Sequence, residues 1–255
     1  MRRMRADLHI HTALSPCAAP EMTPAAIVRT AAARGLEMIA VCDHNSADNA
    51  AATQQAASHM MADTAAPRGR GMTVLAGIEV STREEVHVLG LFPNATAALA
   101  VSQNVRDTLP ELRDPPRWMG EQRRLDAEGR VLSTETKLLA AASSLSLAKV
   151  VALIHAHAGL AIAAHVDRPS FSVVSQLGSV PTDVPWDALE VSAAALSDGR
   201  WRAFGNLGLP LVASSDSHCL DEIGSVFCSL VVQAVSFDEL RLALTGQQRR
   251  RCCLA

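Results

Sequence analysis

The sequence lacks the features that mark membrane, secreted or duplex-coating proteins. It has no apolar run of about 18 residues, the length that a membrane-spanning helix requires. A formal net charge of −3 gives no overall basic field, which disfavours duplex nucleic acid as a partner. The six cysteines have no zinc-ribbon spacing, so we expect reduced thiols. These absences favour a small anionic partner and no membrane.

Lysine is also scarce, because only Lys137 and Lys149 occur among 23 lysine and arginine residues. The N-terminus enters the first polar motif directly, so we expect no signal peptide and a cytoplasmic protein. A length of 255 residues, 49% of them hydrophobic, suffices for one α/β domain over 1–255. The sequence leaves the oligomeric state open.

What the sequence does contain is a series of histidine and acidic clusters. Residues 7–12 are DLHIHT, and side chains two apart in a strand share a face, so His9 and His11 can enter one pocket. The later clusters are Asp43 with His44, Glu79 with His87, His165, and Asp216 with His218. Imidazole and carboxylate suit zinc, manganese or iron. So many donors predict more than one ion.

Strand and helix signals alternate along the chain, which predicts parallel βα units. Thr23-Pro24 and Gly35 mark the start and end of the first helix, and a second is predicted from about Ser46 to Met61. Segment 79–88 predicts a hairpin. The predicted parallel strands are 6–10, 37–42, 72–80, 160–166, 188–192, 209–215 and 225–232. Helices are further predicted from about Ser146 to Ala158 and after a cap at Ser236.

This pattern stops between Asn94 and about Ser144, where charges cluster and no strand is predicted. Asp114-Pro115-Pro116 would interrupt any helix there. We interpret 94–144 as an insertion or cap over the site. The histidine and acidic clusters lie at the carboxyl ends of strands, the face on which barrels of this type build active sites.

The ordered motifs resemble the PHP (polymerase and histidinol phosphatase) domain family over nearly the whole chain. They are DLHIHT at 7–12, CDHN at 42–45, GIE at 77–79, HVLGLF at 87–92, AAHVDRPS at 163–170 and SSDSH at 214–218. The resemblance implies a distorted (β/α)7 TIM-like barrel of class α/β. It also implies a stand-alone bacterial phosphoesterase that uses two to three divalent ions (Zn, Mn or Fe).

The resemblance further implies a set of metal ligands: His9, His11, His44, Glu79, His87, His165, Asp216 and His218. Glu79 ends an apolar strand, where a buried carboxylate needs a cation or strong donors, and the family assigns it a bridging role. His87 lies within an apolar strand and could instead be a satisfied core histidine. The remaining histidines, His59, His155 and His157, fall in predicted helices and are interpreted as surface or packing residues.

Two further residues are candidates for a catalytic role. Asp43 can orient His44 by accepting its second ring proton, and Arg168 can bind phosphate if its loop turns inward. Alternatively, Arg168 is a solvated loop arginine without a role in binding. Glu190 is interpreted as a residue behind the ligands, with an ordinary strand carboxylate as the alternative.

The chain departs from the family at one position. Many PHP sequences have an aspartate five residues after the second histidine, where it helps to hold a third ion, but here that position is Pro16. The thiol of Cys17 could replace it, or Cys17 could be an ordinary loop or core thiol. We therefore expect two firmly bound ions and a third that is weak or substrate-dependent.

The expected function is hydrolysis of a small phosphate monoester, such as a nucleoside 3′,5′-bisphosphate. A histidinol-phosphate phosphatase is the alternative within the family. Amidohydrolases also carry an HxH pair, but many bridge their ions with a carboxylated lysine, and Lys137 and Lys149 are misplaced for that role. A non-catalytic metal-binding scaffold is the alternative of another class, and a phosphatase assay on metal-loaded protein separates it from an enzyme.

Overall fold

The computed structural model describes residues 1–62, 71–113 and 119–254. The strands are β1 (Arg2–Ile10), β2 (Met38–Val41), β3 (Thr73–Ser81), β4 (His87–Phe92), β5 (Arg123–Leu125), β6 (Val131–Thr134), β7 (Leu160–Ala163), β8 (Ala188–Val191), β9 (Leu211–Ala213), β10 (Cys228–Val232) and β11 (Arg251–Leu254). The helices are α1 (Pro24–Ala33), α2 (Ala50–Ala62), α3 (Ala95–Arg106), α4 (Leu147–Ala156), α5 (Val173–Leu177), α6 (Ala193–Asp198) and α7 (Phe237–Leu244). Within those ranges, every helix is too short or too polar to cross a membrane.

Local signals set the helix ends. The Thr23 hydroxyl accepts a hydrogen bond from Ala26 N at 3.4 Å, Pro24 is the first residue of α1, and Gly35 follows with a φ of +72°. These predicted ends of α1 are confirmed. α2 begins later than predicted, after Asn49, whose side-chain oxygen accepts from Leu125 N at 2.9 Å.

Nine strands form one mixed sheet in the order β11-β10-β1-β2-β3-β4-β7-β8-β9. β1, β2 and β3 are parallel, as are β7, β8 and β9. The predicted hairpin is confirmed, because β3 and β4 are antiparallel with Ser81 opposite His87. The direction predicted for 225–232 is wrong, since β10 runs antiparallel to β1. An apolar run indicates a buried strand but does not give its direction.

The sheet curls into a nearly closed barrel. At the carboxyl end of β1, Ile10 forms a parallel bridge with Ser217, and His11 N donates to Ser217 O at 3.0 Å. Between β9 and β10, Cys228 Sγ lies 3.0 Å from Ala213 N, which joins the two strands. Helix α7 follows β10, and its Leu240 packs on the apolar interior.

Residues 95–144 divide into two parts. Helix α3 belongs to the outer helical layer, because Ala98, Val101 and Val105 are buried in the core cluster that includes β3 and β4. The strands β5 and β6 form a two-stranded sheet that the sequence did not predict. Asp114-Pro115-Pro116, predicted to interrupt a helix, lies outside the described residues.

Residues 119–144 pack on the loops that follow β1 and β2. Gly120 N donates to Pro16 O at 2.8 Å and Arg123 N donates to Ala13 O at 2.9 Å. Asn45 Nδ2 donates to the carbonyls of Leu139 and Ala141, both at 2.8 Å. This segment therefore lies at the carboxyl ends of the strands.

Candidate metal centre

Most donor side chains continue the inward-facing positions of their strands. Met38 and Ala40 of β2 pack in the barrel interior, and His44 follows with the same two-residue spacing. Leu75 of β3 also packs there, and Glu79 shares its parity. The same alternation leads to His87 on β4, Glu190 on β8 and Asp216 beyond β9. Strand periodicity thus directs these donors to one end of the barrel interior.

β1 needs an irregularity to deliver its two histidines. Its register against β2 shifts between Asp7 and Ile10. Leu8 packs in the barrel interior, whereas Ile10 packs among the outer helices, so the alternation changes phase between them. As a result His9 and His11 both point inward. Bulges commonly re-aim side chains in this way.

Glu79 is the common partner of five imidazoles, those of His9, His11, His44, His87 and His165. Its Oε1 lies 2.9 Å from His87 Nδ1 and 3.2 Å from His165 Nε2, while Oε2 lies 2.8 Å from His44 Nδ1. The other two rings lie 3.5 Å from a carboxylate oxygen. Glu79 is only 1% exposed, so it is a buried anion at the middle of the cluster.

Asp216 closes the cluster on the side of β9. Its Oδ1 lies 3.0 Å from His11 Nε2 and 3.2 Å from His9 Nε2. On the far side of the same ring, His9 Nδ1 lies 3.0 Å from Glu190 Oε2. Glu190 therefore orients His9 from behind, which confirms its predicted place.

A third group lies nearer the rim. The rings of His11 and His218 stack with centroids 4.1 Å apart, and those of His11 and His44 are 4.5 Å apart. Cys17 is exposed near the same rim. Partial burial opposes ionisation of the thiol, but the imidazoles of His218 and His44 lower the pKa of Cys17 to about 6. Cys17 as a metal ligand stays a prediction.

The donor set fits divalent ions. Among the described residues, three groups have ligand atoms within 4.8 Å of one another: His11, His44 and His218; His9, His11 and Glu79; and His44, Glu79 and His87. Within the described ranges, the buried atoms Glu79 Oε2 and His165 Nδ1 have no well-oriented hydrogen bond. Buried polar atoms rarely remain unbonded, and imidazole with carboxylate is the donor set of zinc, manganese and iron.

Protons balance the charge of the centre when no ion is bound. Burial opposes protonation of His9, but the surrounding carboxylates raise its pKa well above the ordinary value. Burial is likewise outweighed at His44, where Glu79 and Cys17 raise the pKa to about 10. The imidazoles in turn overcome the burial of Glu79 and hold its pKa well below the usual range. Metal ions would replace these protons.

Asp43 acts on the loop after β1 and not on the His44 ring, which corrects our prediction. Its Oδ1 accepts from Thr12 N and Ser15 Oγ, both at 2.7 Å, and its Oδ2 accepts from the Thr12 hydroxyl at 2.7 Å. Ser15 Oγ also lies 2.9 Å from His11 Nδ1 and accepts from His44 N at 3.1 Å. Asp43 thus acts on the centre through Ser15, which contacts both His11 and His44.

Arg168 does turn inward. Its Nη1 lies 2.5 Å from Asp216 Oδ2, and its side chain lines a cavity of about 320 Å³ beside the centre. Arg200, which the sequence did not single out, lines the same cavity and pairs with Asp198 at 2.7 Å. No local pattern marks Arg200, because the fold alone brings the segment after α6 to this place.

Phe171 is a second residue that the sequence analysis missed. Its ring stacks on His87 with centroids 4.8 Å apart and an interplanar angle of 14°, yet the residue is 45% exposed. Its φ is +57°, and that of His165 in the same loop is +27°. Left-handed conformations are uncommon for such residues and concentrate at functional sites.

The other three histidines lie away from the centre, as predicted. His59 is paired with Glu128 at 3.3 Å on the surface. His155 Nε2 lies 2.8 Å from Asp187 Oδ2, and His157 Nδ1 lies 3.0 Å from Leu153 O. Each ring is held by a helix or loop of the outer layer.

An α/β barrel with a buried imidazole-carboxylate cluster at the carboxyl ends of its strands has the donors of a metal centre. The chain belongs to the PHP domain family, whose family model matches residues 7–227. The family predicted from the motifs is thereby confirmed, as is the barrel.

Known proteins with this fold include nucleases and phosphoesterases. The uncharacterized protein YqxK from Bacillus subtilis is 26% identical over 275 aligned residues, which cover 98% of this chain and 64% of YqxK. The lesion-specific endonuclease PfuEndoQ from Pyrococcus furiosus superposes with a TM-score of 0.72 at 20% identity, covering 98% of this chain and 58% of that chain. This chain therefore spans less than two thirds of either protein.

A smaller protein aligns over most of its own length. This is a protein from Bifidobacterium adolescentis assigned as a metal-dependent phosphoesterase, with a TM-score of 0.53 and 19% identity. The alignment covers 84% of this chain and 87% of that chain. At such identities the likeness establishes the fold.

Proposed function

We propose that this chain hydrolyses a small phosphate monoester, such as a nucleoside 3′,5′-bisphosphate, at the metal centre. The proposed ligands of two to three divalent ions are His9, His11, His44, Glu79, His87, His165, Asp216 and His218. The observation that carries the proposal is the enclosure of Glu79 by five imidazoles beside a cavity lined by arginine.

Divalent ions, when bound, lower the pKa of water and neutralise charge on phosphoryl oxygens. The chain itself orients their ligands, since Glu190 fixes the ring of His9 and Ser15 fixes that of His11. Arg168 stands against Asp216 at the cavity wall. Its planar guanidinium can bind two phosphoryl oxygens at once, and its position on the cavity wall makes it available to the substrate.

The cavity wall carries charges of both signs. Arg168 and Arg200 share it with Asp167, Glu190 and Asp216, and Arg168 already pairs with Asp216. A phosphate could bind the guanidinium groups in place of these carboxylates. We place the bisphosphate before histidinol phosphate on the family resemblance.

We also propose that residues 119–144 are the part of the 94–144 range that caps the site. Their backbone is held by Asn45 and Asn49 and contacts Ala13 and Pro16 in the loop after β1. A segment fixed to that loop can select substrates by size without supplying ligands.

Cleavage of a nucleic-acid phosphodiester is the second candidate. It is favoured by the alignment of 98% of this chain with PfuEndoQ, and by the solved complex of Endonuclease Q with a 27-mer duplex that carries an abasic lesion. The net charge of −3 argues against a broad phosphate-tracking surface.

The decisive experiment compares these substrates on one enzyme preparation. Metal-free protein is reloaded separately with Zn²⁺, Mn²⁺ or Fe²⁺, then assayed on a nucleoside 3′,5′-bisphosphate, histidinol phosphate, bis(p-nitrophenyl) phosphate and an abasic-site duplex. The Arg168→Ala variant should lose about 10- to 100-fold in kcat/KM on the monoester, since hydrogen bonds to charged groups contribute about 1.5–3 kcal/mol. Arg83→Ala is the matched control, because Arg83 is an exposed arginine on the β3–β4 turn that pairs with Glu84.

The outcomes separate the candidates. Phosphate release from the bisphosphate, sensitive to Arg168→Ala and insensitive to Arg83→Ala, supports the proposal. Duplex nicking without monoester hydrolysis would replace it with the second candidate. Bound metal with no turnover on any substrate would leave the non-catalytic scaffold.

A further inference from the structure

Two arginine runs that lie far apart in the sequence meet in one part of the sheet. One run comprises Arg2, Arg3 and Arg5 on β1, and the other is the segment 249–251 that leads into β11. β10 lies between these two strands and pairs with both. The sheet thereby gathers positive charge in one place, which the net charge of −3 for the whole chain conceals.

Three of these arginines point to the same side of the sheet. Arg3 and Arg251 both stand opposite Val231 of β10, one on each side of it. Residues directly opposite each other on antiparallel strands share a face, and Arg5, two residues after Arg3, shares that face as well. Met4, between them, packs in the barrel interior. Arg3, Arg5 and Arg251 thus form an arginine face on the outside of the barrel.

The arginine face has no anion of its own. In the part of the chain that the structure describes, its three arginines are exposed and none of them is in an ion pair. The nearby carboxylate of Glu37 is paired with Arg2, and that of Glu239 is paired with Arg250 at 2.7 Å. Every residue of β1, β10 and β11 is described, and the one carboxylate among them is that of Asp7. Asp7 is fully buried, and its oxygens accept hydrogen bonds from the backbone of the chain after β9.

The spacing of the arginine face suits a chain of phosphates. The Cα atoms of Arg3 and Arg5 are about 7 Å apart along β1, and those of Arg3 and Arg251 are about 10 Å apart across β10, given the rise and separation of β-strands. One small anion does not span these distances, and an outward sheet face gives it no concave pocket. Guanidinium groups bind phosphate oxygens in pairs, and a nucleic-acid strand repeats its phosphates over the whole area.

The arginine face does not suit a membrane surface. Peripheral membrane binding combines basic residues with exposed apolar side chains that enter the lipid. Val231, the outward apolar residue between the arginines, is half-buried. Among the described residues, Met1 is the one exposed large apolar side chain in or next to these strands. A polymer of phosphates is therefore favoured over a bilayer.

We infer that the arginine face binds the phosphate backbone of a nucleic acid without reading its sequence. The face lies on the outer wall of the barrel, and Arg3 precedes His9 by six residues, about 20 Å along β1. A strand bound there does not enter the metal centre of the same chain. The face holds the protein on nucleic acid, whichever phosphoester the centre hydrolyses.

The test is fluorescence anisotropy of a short fluorescein-labelled DNA, single-stranded and duplex, titrated with the whole chain at several salt concentrations. Each lost phosphate contact reduces the salt dependence of log Kd by about 0.9 for duplex and about 0.7 for a single strand. The triple variant Arg3→Gln/Arg5→Gln/Arg251→Gln should therefore lose about 2–3 from this slope and bind at least about 10-fold more weakly at low salt. Phosphoester turnover should be unchanged, because none of the three residues lies in the centre or its cavity.

The matched control removes the same amount of charge elsewhere. Arg83→Gln/Arg130→Gln/Arg202→Gln replaces three exposed arginines outside the arginine face and should keep the wild-type affinity and slope. Arg168→Ala, in the cavity beside the metal centre, should keep them too.

A single variant covers a failure of the triple variant to fold. Arg5 lies over the ring of Phe227, with 4.8 Å between its guanidinium carbon and the ring centroid, so its replacement removes a packing contact as well as a charge. Arg251→Gln alone leaves this contact in place and should reduce the duplex slope by about 0.9.

Four results would overturn the inference. They are unchanged DNA binding in the arginine-face variants, an equal loss in the control triple variant, a loss in Arg168→Ala, and binding to phosphatidylcholine–phosphatidylserine vesicles without binding to DNA. The third would place the nucleic acid at the cavity, and the fourth would assign the face to a lipid surface. None of them bears on phosphoester hydrolysis, which is measured separately on the same preparations.

Discussion

Replacing Glu79 with glutamine removes one negative charge from the middle of the centre while keeping the shape of the side chain. Glu79 belongs to two of the three donor groups, one with His9 and His11 and one with His44 and His87. The amide keeps one oxygen and replaces the other with an NH2 group. This NH2 group faces the imidazole nitrogen of His44 or His87, so a hydrogen-bond donor meets a donor there when that nitrogen carries a proton. The substitution therefore acts on two proposed ions at once.

The magnitude follows from the position of Glu79. Removing a residue behind a metal ligand typically costs 10- to 100-fold in affinity or activity, so loss of a direct bridging ligand should cost at least about 100-fold for each ion. That factor corresponds to about 2.7 kcal/mol. We expect phosphoester hydrolysis to fall below about 1% of the wild-type rate, while the fold survives because five surrounding side chains still fill the pocket.

The assay pairs metal content with turnover. Elemental analysis after dialysis against a chelator counts the ions, and circular dichroism reports the fold. Glu85→Gln is the matched control, because Glu85 is an exposed carboxylate at the tip of the same hairpin. Glu79→Gln with unchanged metal content and unchanged turnover would remove Glu79 from the site and refute the reasoning.

Three further predictions concern protons, packing and capping. His44, with its pKa raised to about 10, is protonated at neutral pH without metal. Metal affinity should therefore rise with pH up to about 10, because the competing proton leaves. Calorimetric binding heats that do not vary among buffers of different ionisation enthalpy would contradict this. Asn45 donates to two carbonyls at 2.8 Å and has a φ of +52°. In Asn45→Ala the free energy of unfolding in urea should therefore fall by about 2 kcal/mol or more, and residues 119–144 should become sensitive to protease. Thr23→Ala removes the cap of α1 and should cost about 1 kcal/mol with metal content unchanged, whereas Thr23→Ser should recover most of that loss.

Local sequence signals predicted much of the fold. The caps of α1 and α7 and the β3–β4 hairpin were readable because each depends on residues close in the chain. The direction of β10 and the existence of β11 were not, since both depend on which strand edge remains free after the barrel has formed. Pairing partners are a property of the whole sheet.

In the site, too, features set by neighbouring residues could be predicted and features set by the folded sheet could not. The types of donor and their order were readable from the motifs, including the two-residue spacing of His9 and His11. That spacing puts both rings on one face of β1, but the register shift between Asp7 and Ile10 decides that this face is the interior. Arg200 and Phe171 escaped notice because neither belongs to a local pattern.

By itself the sequence determined the chemistry of the centre: which imidazoles, carboxylates and thiol are available, and which strand end presents each. Spacing along a strand sets the face of a side chain, so these features follow from neighbouring residues alone. The tertiary structure decided which donors meet. Closure of the barrel between Ile10 and Ser217 joins the first and last motifs, and it stacks the ring of His11 on that of His218. Distances between strands depend on register and curvature summed around the sheet, and no local spacing encodes that sum.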